Sequence, residues 1–186
     1  MSTQVKATIE DLYNVPENAK AELVNGEIVL MSPTGAAPNY AAGEIFVSLR
    51  LYGRRRGVGR AVSDNAAFRV RLPNRESFSP DVAFYAGPKA GMKFFEGAPL
   101  FAVEVRSEGD YGRRAETKIA NKRADYFAAG TLAVWDVDLL SDDVIKCYSA
   151  NEPDKPRVFR RGELADAEPA VPGWSMAVDD LFDEEI

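Results

Sequence analysis

The sequence predicts an α/β domain in which one mixed sheet carries helices packed on its faces. Three observations predict it. Apolar residues recur at helical spacing across residues 40–56, at Ala41, Ile45, Leu49 and Tyr52. Three strand-like stretches follow, then a second helical stretch over 113–129, rich in Ala, Lys and Arg and ending at Gly130. A continuous apolar run over 132–137 completes the order helix, three strands, helix, strand, and suits a strand buried on both faces. With 186 residues the chain has the length of one domain. We read 1–186 as a single domain with a core over about 20–150 and an acidic C-terminal extension over 151–186.

The elements follow in order. Thr8-Ile9-Glu10-Asp11 has capping-box spacing, so a short helix follows Thr8. Residues 21–30 read as a hairpin, with Asn25-Gly26 between two apolar runs, because both central turn positions need positive φ. Residues 31–38 are a loop rich in Pro, Gly and Ala. Gly57 and Gly59 close the long helix. The three strands lie in 61–72, where Phe68, Val70 and Leu72 alternate with Arg69 and Arg71, in 79–85, and in 100–106. Weaker strands are predicted over 144–148 and 157–161.

Composition excludes several chemistries. The chain has no histidine, which removes Ser-His-Asp triads, Cys-His pairs, histidine metal ligands and a histidine general base. Its one cysteine, Cys147, can form neither an internal disulfide nor a cysteine zinc site. No apolar run is long enough for a transmembrane helix, so no membrane partner is expected. The N-terminal stretch shows no secretory h-region, which predicts a cytoplasmic location. Carboxylates, amines, guanidinium groups, hydroxyls and a hard metal ion remain.

The formal charge of −6 argues against a uniformly basic nucleic-acid binder. Its distribution is uneven. Residues 141–186 hold 12 acids and 5 bases, whereas 1–140 hold 17 acids and 18 bases. Residues 50–75 carry eight arginines (Arg50, Arg54, Arg55, Arg56, Arg60, Arg69, Arg71, Arg75) and one acid, Asp64. That cluster reads either as a solvated face or as a phosphate-facing patch, since Arg offers phosphate a planar bidentate fork.

Two acids stand out on the strands. Alternation puts Asp81 on the side away from Val82 and Phe84, and Glu104 on the side away from Phe101, Val103 and Val105. A carboxylate in an apolar strand is costly to desolvate and needs a partner. A divalent cation between Asp81 and Glu104 is one answer, because Mg²⁺ typically takes one or two protein carboxylates plus phosphate oxygens. A structural ion pair of Glu104 with Arg106 or with a nearby lysine is the other.

Pro80-Asp81, followed by Glu104-Val105-Arg106, resembles the PD-(D/E)XK signature of the restriction-endonuclease-like superfamily. Six segments, two of them containing that signature, resemble its Uma-type restriction endonuclease branch: Glu22-Leu-Val-Asn-Gly26-Glu, Met31-Ser-Pro33, Ser79-Pro-Asp81, Val103-Glu-Val-Arg-Ser107, Lys122-Arg-Ala-Asp-Tyr126-Phe-Ala-Ala-Gly130 and Val134-Trp-Asp-Val-Asp138. The resemblance spans roughly residues 8–180. It implies an αβββαβ core with an N-terminal hairpin and extra C-terminal strands. It also implies a Mg²⁺- or Mn²⁺-dependent endonuclease acting on DNA, with Asp81 and Glu104 as metal ligands. Arg106 holds the place of the motif's usual lysine, and Arg cannot serve as a general base. In the Uma-type branch the lysine comes from the following helix, and Lys122 matches it; read without the resemblance, Lys122 is equally a surface lysine snorkelling from a helix flank, since Arg123 interrupts the apolar face. Ala115, Ile119, Lys122 and Tyr126 share a helix ladder, while Lys118, one turn earlier, lacks the matching Tyr. Glu22 either completes the site or lies on an exposed strand face. Glu44, on the first long helix, reads as a solvated residue. Many members carry a histidine after the Ser-Pro loop, and this chain does not. Superfamily members are often dimers, so a homodimer is expected alongside the nucleic acid. Two other readings stay open: a catalytically silent nucleic-acid-binding or interaction module on the same fold, and a carboxylate-metal hydrolase of a small phosphorylated substrate.

Overall fold

The computed structural model describes residues 6–16 and 19–183. Helix α1 (Ile9–Leu12) starts as the capping box requires: the Thr8 N–H donates to Asp11 Oδ2 at 2.8 Å and the Asp11 N–H to Thr8 Oγ1 at 3.4 Å. Strands β1 (Ala21–Val24) and β2 (Glu27–Leu30) form the predicted hairpin, with Asn25 and Gly26 at φ 54° and 76°. Helix α2 (Ala36–Arg56) begins four residues earlier than expected. Pro38 is no obstacle there, because N–H groups of the first turn have no intrahelical acceptor.

The stretch 61–72 is not one strand. It divides into β3 (Arg60–Val62) and β4 (Phe68–Arg69), separated by Ser63-Asp64-Asn65, with Asn65 at φ 62°. Asp and Asn tolerate such a turn because their side chains bond the local backbone; here Asp64 Oδ1 accepts from the Asn65 N–H at 2.7 Å. The strand expected over 79–85 is shorter, and a separate one precedes it. Strand β5 (Ser77–Phe78) ends at Ser79-Pro80, where proline has no N–H for a ladder, and β6 (Val82–Tyr85) starts just after Asp81. Strands β7 (Phe95–Glu96) and β8 (Phe101–Val105) follow, then α3 (Arg113–Ala128) and β9 (Ala133–Val137), whose five residues are all buried.

Strand β10 (Ile145–Ser149) and β11 (Glu152–Phe159) end the large sheet. β11 is longer than expected, through Pro153 and Pro156, and tolerates both because it is an edge strand. Two short strands, β12 (Leu164–Asp166) and β13 (Ser175–Ala177), and a 3₁₀ turn at Val178–Leu181 finish the described chain.

The six-stranded sheet has the order β11-β10-β9-β8-β6-β3. It is antiparallel except for β8 and β9, which pair in parallel with Glu104 opposite Asp136. Parallel neighbours need a crossover, and α3 supplies it. The elements α2, β3, β6, β8, α3 and β9 therefore form the expected αβββαβ core. The sheet separates two apolar layers. On one face α2 places Ala41, Ile45, Leu49 and Tyr52 against Val82, Phe84, Phe101 and Val103, joined by Trp135, Trp174, Met176 and Leu181. The acidic C-terminal quarter thus helps close this layer. On the other face Ala83, Ala102 and Val134 pack with Tyr126 of α3 and with Phe68 and Phe78 of the small sheet β5-β4-β7.

Candidate active site

Asp81 and Glu104 both face the α3 side of the sheet, and the backbone sets them side by side. The Asp81 N–H donates to the Val103 carbonyl at 3.1 Å, and Asp81 Oδ2 accepts from the Val105 N–H at 2.8 Å. Asp81 therefore brackets Glu104 from the neighbouring strand. Pro80 helps to free Asp81 for this, because β5 ends at Phe78 and proline has no N–H to extend its ladder.

Helix α3 brings the third predicted group. Lys122 Nζ lies 2.8 Å from the Glu104 carboxylate and 2.9 Å from Glu22 Oε1. One turn on, the Tyr126 hydroxyl donates to Glu104 Oε1 at 2.6 Å. The ladder read from the sequence placed Lys122 and Tyr126 on one face; their shared acceptor is Glu104.

Glu22 is buried, and is not on an exposed strand face. Its carboxylate accepts from the Ser79 N–H at 2.8 Å and from Arg75 Nη1 at 2.5 Å, besides Lys122. Arg75 in turn donates from Nε to Asp125 Oδ2 at 2.9 Å and lies over the Phe78 ring. Glu22 thus anchors Lys122 from the hairpin side.

Lys20, Asp64 and Arg75 also belong here, although sequence reasoning assigned no role to the first two and counted the third with the arginine patch. Lys20 Nζ bridges Asp81 Oδ1 and Asp64 Oδ1, each at 2.6 Å. Nothing local in the sequence signals Lys20, which meets Asp81 across 61 residues of chain. Tyr126 had a signal: it stands four residues after Lys122. Among the described residues these two neighbouring sets of ion pairs hold three cations (Lys20, Arg75, Lys122) and five carboxylates (Glu22, Asp64, Asp81, Glu104, Asp125), a formal excess of two negative charges.

Proton affinities follow this imbalance. Burial raises the Glu104 carboxyl above the usual range; Asp81 and Glu22 add to the rise, and together these outweigh Lys122. Burial also works against the Glu22 carboxylate, but Lys122, Arg75 and the Ser79 N–H hold it below its usual range. Burial works against the Lys122 ammonium, yet Glu104 and Glu22 prevail and keep it charged well above neutral pH. Burial, followed by the nearby Glu104 charge, pushes the Tyr126 phenol up.

Arg106 sits elsewhere. Its Nε and Nη2 donate to the two oxygens of buried Asp136, each at 2.8 Å, and its guanidinium also holds Glu116. It locks β8, β9 and α3 together and does not pair with Glu104. Asp136 is its partner there. Glu44 lies on α2, across the sheet from these groups.

The arginine cluster does not form one patch. Arg50, Arg54, Arg55 and Arg56 belong to α2, which packs on the face opposite the site. Arg69 pairs with Glu96, and Arg60 donates to the Gly87 carbonyl. Arg75 reaches the site, where two carboxylates occupy it. Strand and helix geometry disperses what is contiguous in sequence.

Two cavities meet at Lys122. A small one of about 40 Å³ lies against Glu104, Lys122, Tyr126 and Asp136, of a size for water. A larger cleft of about 710 Å³ opens between the hairpin and α3. Among the described residues no three acidic, histidine or cysteine side chains gather as a ready metal cage, and no helix is long and apolar enough to cross a membrane.

The profile of the Uma2 family, described as "Putative restriction endonuclease", matches residues 7–179. Among solved structures, one titled as a putative nuclease belonging to DUF820, from Anabaena variabilis, superposes with a TM-score of 0.73. It is 17% identical over 94% of this chain and 97% of that one, and so shares the fold. No curated protein matches the sequence.

Proposed function

The chain belongs to the Uma2 family, and from that premise we propose that it hydrolyses phosphodiester bonds in DNA with the help of a divalent cation. One observation carries the reading: Asp81 and Glu104 sit side by side on the α3 face of the sheet, with the Lys122 ammonium 2.8 Å from Glu104.

The donor set fits Mg²⁺ or Mn²⁺. Both groups are hard carboxylate oxygens, such an ion commonly uses one or two of them, and the network carries two uncompensated negative charges. Lys20 does not oppose this fit, because Asp64 remains as its partner when Asp81 is released. Asp81 and Glu104 would hold the ion, which when bound polarises a scissile phosphate and acidifies a water. Lys122 stays protonated, so it acts by charge: it stabilises negative charge on the phosphate and orients water, and it does not remove a proton. Glu22 positions that ammonium, and Tyr126 fixes the Glu104 carboxylate. Arg106 takes no part beyond holding the scaffold.

The test is cleavage of single-stranded circular DNA and of plasmid DNA with Mg²⁺ or Mn²⁺, read against an Asp81→Ala, Glu104→Ala double variant. Cleavage of at least one of them by wild type alone, abolished by chelator, is the expected result. Equal rates in both proteins would overturn the reading. One observation favours the silent binding module instead: each of the two carboxylates already has a lysine on it. That reading expects nucleic-acid binding unaffected by chelator and no cleavage under any cation.

A further inference from the structure

The cleft beside the site has two unlike walls. Helix α3 forms one, presenting Arg113, Arg114, Lys118 and, at the inner end, Lys122. Arg114, Lys118 and Lys122 stand at four-residue steps, so they stack on one helix face about 6 Å apart along the axis. Arg113, Arg114 and Lys118 are exposed, and among the described residues none of the three has a carboxylate partner. Glu116, the acid of that first turn, is held by Arg106. Like charges at such spacing repel, and a row of anions relieves them. The hairpin side forms the other wall with apolar Val24, Val29 and Met31 beside the polar Asn25, and its one carboxylate, Glu22, is already held by Arg75 and Lys122.

We propose that this cleft binds a single strand of nucleic acid. The proposal deepens the phosphodiesterase reading and rests on it. A single strand has one row of phosphates and one edge of sugars and bases, which matches one wall of free cations and one wall without any, where Val24, Val29 and Met31 offer apolar surface. A duplex carries phosphates on both its edges and finds only one cationic wall here. The volume, about 710 Å³, is that of a ligand pocket and suits a short length of one strand. Phosphates lie on Arg113, Arg114 and Lys118, and the path ends at Lys122, which bridges to Glu104. Among the described residues no aromatic ring lines the cleft, so the strand is held by charge without base stacking, and binding is tolerant of sequence. The α2 arginines, across the sheet, do not contribute.

The experiment is fluorescence anisotropy of a short labelled oligo(dT) and of a duplex of equal length, in EDTA so that no cleavage intrudes. Three proteins are compared, each checked for fold by circular dichroism: wild type, Arg113→Ala/Arg114→Ala/Lys118→Ala, and Arg54→Ala/Arg55→Ala/Arg56→Ala. Wild type should prefer the strand. The α3 variant should bind it at least about tenfold more weakly, with a salt slope shallower by about two units, while the α2 variant binds normally. The proposal is overturned if the α3 variant binds as wild type does, if the α2 variant loses as much, or if the duplex binds more tightly than the strand. The two readings fail separately. Strand binding that depends on α3 without any cleavage in Mg²⁺ sinks only the nuclease, and cleavage with binding independent of α3 sinks only the cleft.

Discussion

Asp81 Oδ2 accepts the backbone N–H of Val105 at 2.8 Å, so the acid that is proposed to hold a cation also ties β6 to β8. The two duties separate by substitution. Asp81→Asn keeps an acceptor for that N–H and removes the charge, whereas Asp81→Ala leaves the N–H unpaired at a cost of about 1–3 kcal/mol. We expect both variants to lose DNA cleavage by at least about a hundredfold, with the larger fall in melting temperature for Asp81→Ala. Retained cleavage in Asp81→Asn would remove Asp81 from the chemistry.

Arg106 and Asp136 make a buried two-pronged pair. Arg106→Ala strands the Asp136 carboxylate and should destabilise by about 3–5 kcal/mol. Lysine cannot reproduce the fork, so Arg106→Lys should also be destabilised. An Arg106→Met/Asp136→Leu pair should recover much of the loss, since neither charge is left alone. Urea unfolding of the four proteins measures this; a double variant no better than Arg106→Ala would contradict it.

The two network glutamates should respond to pH with opposite sign in EDTA. Glu22 is held below its ordinary value of 4.5, so its contribution is complete above that value and is lost as pH falls through its lower folded value. Glu104 is held above 4.5, so its ionisation costs stability as pH rises from there to its higher folded value. Glu22→Gln should therefore be less stable than wild type at neutral pH, and Glu104→Gln at least as stable while losing cleavage. Denaturant midpoints from pH 3 to 7 test the pair, and equal losses at neutral pH would refute the assignment.

Cys147 is buried in the main apolar layer, where burial pushes its thiol up and outweighs nearby Arg157. As the chain's one cysteine, it should be silent to a thiol-specific chromogenic reagent when folded and react fully in denaturant. Rapid reaction of the native protein would show that this layer opens readily.

Periodicity carried much of the fold. Ala41, Ile45, Leu49 and Tyr52 do face the sheet, Asn25-Gly26 does turn the hairpin, and the run ending in Val137 is a buried strand. These features rest on interactions within a few residues or on a repeating side-chain direction. Alternation also put Asp81 and Glu104 each on a definite side of its own strand, and helix spacing put Lys122 with Tyr126. The breaks at Ser63-Asp64-Asn65 and at Pro80 had turn residues to announce them, but the apolar alternation around them masked the signal.

The sequence by itself determined the order of elements, the histidine-free chemistry and the side of its own strand on which each of Asp81 and Glu104 lies, because helix and strand periods are local properties. Only the tertiary structure decided that Lys20 would cap Asp81, that Glu22 and Arg75 would brace Lys122, and that eight neighbouring arginines would scatter to both sides of a sheet. Ion pairs in a folded interior join groups tens of residues apart, and it is the packing of hairpin, sheet and crossover helix that chooses their partners.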